Sequence, residues 1–201
     1  MRLLDAMRQV PRHLFFPTGI EPHVSNDAPI SLGHGRMLPP ANLVAMMLQA
    51  LELGGTERVL EIGGGSGYQA GLLSRLAREV HSIELDRALA EDSMRALTDL
   101  GCTNVRVIHG DASAGWPEGA PYQAIVVGAG AWEIPPELIE QLALGGRLVI
   151  PIGDEDGQLI ERLRKRADSM DSETLGACHL DMLVGERGSA SRFPWTHLSK
   201  P

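Results

Sequence analysis

Cysteine is scarce in these 201 residues, and Cys102 and Cys178 belong to no C-x-x-C pair or Cys/His zinc pattern. That excludes a disulfide framework and a structural zinc site, so no metal is expected. A reducing, cytoplasmic setting is the matching expectation. Cations are in deficit too: 18 Lys and Arg face 26 Asp and Glu, for a formal charge of −8 and a pI near 5.3. With no surplus of positive charge to displace counterions from phosphates, a nucleic-acid partner is not expected. No apolar run approaches the roughly 20 residues of a membrane span, which argues against a membrane partner. Residues 1–10 lack the apolar h-region and cleavage site of a signal peptide. No internal repeat is visible. What remains is an ordinary globular composition, 43% hydrophobic and 22% charged, at a length that suits one domain with a sizeable core.

Along the chain, helical spacing covers residues 3–10 and ends at Pro11. Residues 11–40 are rich in Pro, Gly and His with little periodicity, a structured loop region long enough to shape a site. A helix is predicted over 41–51, with Leu43, Val44, Met47, Leu48 and Leu51 on one face. From there strands and helices alternate. Strands are predicted at 58–62, 80–85, 105–109, 124–128 and 147–152, with helices at 69–78, 88–100 and 135–142. This grammar implies an α/β fold, a mostly parallel doubly wound sheet with helices on both faces. Residues 158–166 and 174–184 read as two antiparallel strands closing one edge, and 185–201 as a polar, partly disordered tail.

The chemistry concentrates at strand ends. Residues 59–69, Val-Leu-Glu-Ile-Gly-Gly-Gly-Ser-Gly-Tyr-Gln, run from a strand through glycines at 63, 65 and 67 into a helix. Such a turn lets a ligand lie against bare backbone at a helix N-terminus. Three acids fall at neighbouring strand tips, where ligands of doubly wound sheets bind. Glu61 precedes the glycines. Glu84 lies about twenty residues further on, placed to accept two ribose hydroxyls. Asp111, in Gly110-Asp111-Ala112, is placed to accept from an adenine amino group.

Residues 65–70, Gly-Ser-Gly-Tyr-Gln-Ala, also fit a dinucleotide fingerprint, so NAD is a rival ligand. A carboxylate at Glu61 would repel a pyrophosphate, but it suits the cationic, amino-acid-bearing end of S-adenosylmethionine. Little chain follows the sheet for a hydride-acceptor domain.

More specific stretches accompany this motif: Val10-Pro11-Arg12-His13 with Phe16-Pro17, Gly115-Trp116-Pro117, Ala120-Pro121-Tyr122, Gly145-Gly146-Arg147-Leu148 and Pro151-Ile152-Gly153. Through them, and through Leu100-Gly101, Asn104-Val105 and Gln141-Leu142, roughly residues 4–157 resemble the protein-L-isoaspartate O-methyltransferase family. The resemblance implies a class I, Rossmann-like methyltransferase. It would use S-adenosyl-L-methionine to methylate isoaspartyl carboxylates of damaged proteins or peptides, a repair reaction. The cofactor residues so implied are Glu61, Gly63, Gly65, Ser66, Gly67, Glu84, Leu85, Gly110, Asp111 and Ala112. A single domain over 1–201 is expected, comprising a substrate-side segment (1–52), a cofactor core (53–153), edge strands (154–185) and a tail (186–201), with a monomer favoured.

The acceptor side departs from the family. Its Gly-Gln-Thr-Ile-Ser-Gln-Pro segment stands here as Gly35-Arg36-Met37-Leu38-Pro39-Pro40-Ala41. The threonine and serine hydroxyls become Met37 and Pro39. The family's first helix is not matched, and its C-terminal Val-Pro-Leu segment is not recognisable in 183–188. Pro39 offers neither hydroxyl nor N–H. Arg36 could clamp a carboxylate bidentately, or equally be a solvated loop charge. His34, Gly35, Met37 and Trp132 complete the substrate-side candidates, and residues 128–131 are small enough for a ligand to approach closely. Two alternatives stay open: another methyl acceptor, and a cofactor-binding protein without turnover.

Overall fold

The computed structural model describes residues 2–17, 19, 27–33 and 35–188. Seven strands form one sheet: β3 (Arg58–Ile62), β4 (Glu79–Glu84), β5 (Val105–His109), β6 (Tyr122–Val127), β7 (Leu142–Asp154), β8 (Gly157–Lys165) and β9 (Met170–Cys178). They lie in the order β5-β4-β3-β6-β7-β8-β9. The first five are parallel, while β8 and β9 run antiparallel. The expected fold class is borne out, antiparallel edge included.

The central strands are apolar runs because both of their faces are covered. Val59, Val80, Ala124 and Val126 pack into a core with α1 (Leu3–Gln9), α2 (Ala41–Ala50), α3 (Tyr68–Leu76) and α4 (Arg87–Asp99). Leu60, Ile62, Ile125 and Val127 face the other way, against Leu138 of α5 (Pro136–Gln141) and Leu148 of β7. The chain winds outward from β3 through β4 and β5, then crosses back to β6 on the other flank of β3. That reversal opens a crevice at the carboxyl ends of these strands.

The strands at 58–62 and 105–109 lie where the sequence placed them. Three expectations are corrected. Residues 11–40 hold a 3-10 turn, Arg12–Phe15, and an antiparallel hairpin of β1 (Ile30–Gly33) and β2 (Arg36–Leu38). The Gly145-Gly146 turn lies within β7 as an irregularity, where pairing with β6 jumps from Tyr122↔Leu142 to Ala124↔Arg147. The last strand ends at Cys178 rather than 184. The ladder runs out there, because Cys178 pairs with Gln158 at the start of β8, and the buried Gln158 side chain then takes up Leu180, its Oε1 accepting from Leu180 N–H and its Nε2 donating to the Leu180 carbonyl. With those backbone groups satisfied, residues 180–184 leave the ladder and turn toward Gly130, where Leu183 N–H donates to Gly130 O at 2.7 Å. Residue 18, residues 20–26 and most of the expected tail, 189–201, lie outside the described residues.

Cys102 and Cys178 are both free, no described helix is long and apolar enough to cross a membrane, and no cluster of metal-ligating side chains occurs among the described residues.

Candidate active site

The glycine turn ties three strand tips together. Gly63 and Gly64 N–H groups both reach the Ile83 carbonyl of β4, at 2.9 and 3.2 Å, and Gly128 N–H reaches Ile62 O at 2.8 Å. Gly67 caps α3 at φ +89°, and a Cβ there would lie 2.7 Å from Ser93 Oγ, so only glycine serves. Above this turn lies a cleft walled by Gly63 and Gly65, Glu84 and Leu85, and residues 181–184. Gly65 faces open space, where an added Cβ would meet only Leu32 at 3.8 Å. Ligand atoms can therefore approach the bare backbone.

Glu84 is buried at 6% exposure and lines the cleft. Its Oε2 accepts Gly65 N–H and its Oε1 accepts Asp86 N–H, each at 2.8 Å. A carboxylate has about four lone-pair sites, so two remain for ligand hydroxyls. The Asp86 side chain caps α4 through the Ala88 and Leu89 N–H groups, which fixes this corner.

Glu61 does not face the cleft as expected. Its side chain is fully buried on the face covered by α1–α4, beside Ser82 of β4 and beneath Gly64. Among the described residues neither carboxylate oxygen has a hydrogen-bond partner. Burial pushes its pKa up to about 8, with the Glu84 charge adding to the rise and the nearby Ser82 hydroxyl opposing it. Burial thus favours the protonated, neutral form of Glu61 in the foundation of the glycine turn.

Asp111 is also elsewhere engaged. Its Oδ1 accepts Ser113 N–H at 2.8 Å and its Oδ2 accepts Glu186 N–H at 2.7 Å. Burial pushes its pKa up, but these backbone donors outweigh it and hold the group below the ordinary aspartate value. Asp111 and Ser113 hold the backbone of Glu186 and Arg187, just past the cleft-lining residues 181–184, while Gly110 and Ala112 line the wall.

On the acceptor side, Arg36 and Met37 of β2 line the same cleft. Met37, Pro39, Ser66 and Gln69 line an adjoining recess that also touches Gly63 and Gly65. Gly35 and Trp132 line neither, although Trp132 is 41% exposed nearby in sequence to Gly128 and Ala129, which do. His34 lies outside the described residues. The hairpin is held from below by buried Arg12, whose Nη2 donates to the carbonyls of Ala28, Leu38 and Pro39 at 2.9, 3.3 and 2.7 Å. This gives the Val-Pro-Arg stretch a structural role. Residues 181–184 were missed at the sequence level, as was Gln69, whose buried Nε2 has no partner among the described residues.

The model of the protein-L-isoaspartate(D-aspartate) O-methyltransferase family matches residues 1–187. The chain belongs to that family. A relative from Rhodopseudomonas palustris, named protein-L-isoaspartate O-methyltransferase 1, is 46% identical over 201 residues, covering 99% of this chain and 82% of the relative. A protein-L-isoaspartate O-methyltransferase from Geobacter metallireducens is 44% identical over 93% of this chain and 87% of its own. Among solved structures, one of a protein-L-isoaspartate O-methyltransferase superposes with a TM-score of 0.82 at 27% identity, covering 92% of this chain, which spans 61% of that one. A Plasmodium falciparum structure assigned to the same enzyme, in complex with S-adenosyl-L-homocysteine, superposes at 0.77 with 22% identity over 90% of this chain and 89% of that one, a likeness of fold.

Family membership also disposes of the dinucleotide fingerprint. Ala70, its last position, is fully buried in the packing of α3, a demand that any ligand at this turn makes.

Proposed function

We propose that this family member transfers a methyl group from S-adenosyl-L-methionine to the carboxylate of isoaspartyl residues in proteins and peptides, as a monomer in the cytoplasm. The supporting observation is a single cleft in which the glycine turn and Glu84 meet the Arg36–Met37 edge of the hairpin. The residues fit the nucleoside: Glu84 retains acceptor capacity for ribose hydroxyls, Leu85 and Ala112 offer apolar wall, and Gly63 and Gly65 leave room along the backbone. When bound, the cofactor supplies a methyl group activated on a sulfonium.

What the chain itself must do is modest. An acceptor carboxylate is already ionised at neutral pH, so no general base is required. Holding the acceptor in line can account for most of the rate gain, and a cleft walled by strand tips and a clamped hairpin is suited to that. Pro39 cannot donate a hydrogen bond to the acceptor, so another group must orient it.

The test is transfer of radiolabelled methyl from S-adenosylmethionine to an isoaspartyl peptide, with the normal aspartyl peptide as control. The expected product is a base-labile methyl ester on the isoaspartyl peptide alone. Binding of S-adenosylhomocysteine without such transfer would reject isoaspartate as the acceptor.

A further inference from the structure

We infer that Arg36 and Asp181 form a split charge pair that reads the methyl acceptor, Arg36 taking the carboxylate to be methylated and Asp181 the N–H beside it. The inference rests on the isoaspartyl reading above and assigns its specificity to this chain's own residues. Both side chains line the cleft that holds Glu84 and the glycine turn. They are close through the backbone: Met37 N–H, the amide directly after Arg36, donates to Asp181 Oδ2 at 3.1 Å. Yet among the described residues Arg36 makes no ion pair within 4.0 Å, with Asp181 or any other acid. Two opposite charges thus line one wall without pairing with each other.

Asp181 is fixed from two sides. Its backbone carbonyl accepts Gly130 N–H at 2.9 Å, and the following residue, Met182, pairs with Gly130 as an isolated bridge. Its Oδ2 is taken by Met37, while its Oδ1 carries no hydrogen bond among the described residues. Arg36 is fixed by the hairpin, where it pairs with Gly33, and by the Arg12 clamp on the two residues that follow Met37. A guanidinium presents paired donors to a carboxylate, and a free carboxylate oxygen accepts one N–H.

One cationic and one accepting partner at the same wall suit an isoaspartyl residue. Its free carboxylate is attached to the carbon that also bears the peptide nitrogen, so carboxylate and N–H are adjacent. In a normal aspartyl residue a methylene separates the carboxylate from that carbon. Two fixed partners, one cationic and one accepting, can therefore distinguish the isomers by separation alone. In the transfer, a carboxylate oxygen forms the O–CH3 bond as the S–CH3 bond breaks, the bonding pair returns to sulfur, and no proton moves. Carboxylate and sulfonium charges cancel, giving a neutral ester and a thioether. A neutral ester no longer pairs with Arg36, so the same residue that selects the acceptor lets the product go.

The experiment uses the full chain saturated with S-adenosylhomocysteine and measures peptide binding by calorimetry, alongside methyl-transfer kinetics with S-adenosylmethionine. Three peptides are compared: isoaspartyl, aspartyl, and isoaspartyl with its residue N-methylated. Arg36→Met should weaken isoaspartyl peptide binding and raise KM at least tenfold, Arg36→Lys should recover part of this, and both should bind S-adenosylhomocysteine within about twofold of wild type. Asp181→Asn retains an oxygen for Met37 N–H but loses the anionic acceptor, and it should reduce the preference for the N–H peptide over its N-methylated form severalfold. Wild-type binding and kcat/KM for the isoaspartyl peptide in Arg36→Met would overturn the pair while leaving the methyltransferase reading intact. A wild-type protein that binds S-adenosylhomocysteine but neither binds nor methylates the isoaspartyl peptide would overturn both.

Discussion

Replacing Glu84 with alanine should weaken S-adenosylhomocysteine binding about a hundredfold or more. The carboxylate sits at the cleft wall with two lone-pair sites uncommitted, and the other two hold Gly65 and Asp86 N–H groups. Hydrogen bonds to a charged group contribute about 1.5–3 kcal/mol each, so losing two to a ribose amounts to at least 3 kcal/mol, or about 10² in affinity. The substitution also frees the Gly65 amide, so the turn that should carry the ligand loses its tether. Glu84→Gln is the sharper probe. Its size is right, but its NH2 must face either the Gly65 or the Asp86 donor, so it should recover little. Calorimetry gives the affinity, and a circular-dichroism melt separates it from lost stability. Unchanged affinity in a folded Glu84→Ala protein would remove Glu84 from the site.

Glu61→Gln should stabilise the protein near neutral pH. The native carboxyl keeps its proton up to about pH 8, whereas the unfolded chain releases it near 4.5. Between these values the folded state binds one more proton than the unfolded state, so stability falls with rising pH by roughly 1.4 kcal/mol per unit. By pH 7 the loss amounts to about 3.5 kcal/mol, and above pH 8 it is complete because both states are ionised. Glutamine fills the same space without a charge and has nothing to lose over that window. The variant's melting temperature should therefore exceed that of the wild type by roughly 7–14 °C at pH 7, at about 2–4 °C per kcal/mol for a chain of this size, by more at pH 8, and converge with it near pH 4.5. Because Glu61 does not line the cleft, S-adenosylhomocysteine affinity should stay within about threefold. A variant less stable than wild type at pH 7 would mean that Glu61 is ionised and partnered in the native protein.

These two acids show where sequence was a sufficient guide and where it was not. Both were placed at strand ends, and both are there. Alternation along β3 decides the rest: Val59 and Glu61 share the face covered by α1–α4, while Leu60 and Ile62 face the other layer and Ile62 reaches the cleft. That parity was present in the sequence and argued against an anionic Glu61 facing a ligand. Asp111 was different. The N–H that occupies its Oδ2 comes from Glu186, 75 positions away, where no local pattern announces the contact. The same holds for residues 181–184, which leave the sheet where the start of β8 ends their ladder and a distant Gln158 side chain takes up Leu180. The β1–β2 hairpin was hidden because strands of four and three residues are too short for a period to register. By contrast, β3 and β5 were legible residue by residue, since each is a β-type run closed by glycine.

The acceptor side carries the departures from the family pattern, and the cofactor side carries the agreement. Met37 and Pro39 remain hydroxyl-free walls of the cleft and its adjoining recess, while Arg36 and Asp181 bring the charge. A family site can thus keep its foundation in the sheet and change its reading head on a short hairpin.

The most direct test of the assigned cofactor site is a crystal structure of the protein grown with S-adenosyl-L-homocysteine. The expected density places the nucleoside against Gly63 and Gly65, beneath residues 181–184, with the ribose hydroxyls on Glu84. A nucleoside lodged elsewhere, or a cleft left empty at saturating ligand with Glu84 still bonded only to Gly65 and Asp86, would contradict it.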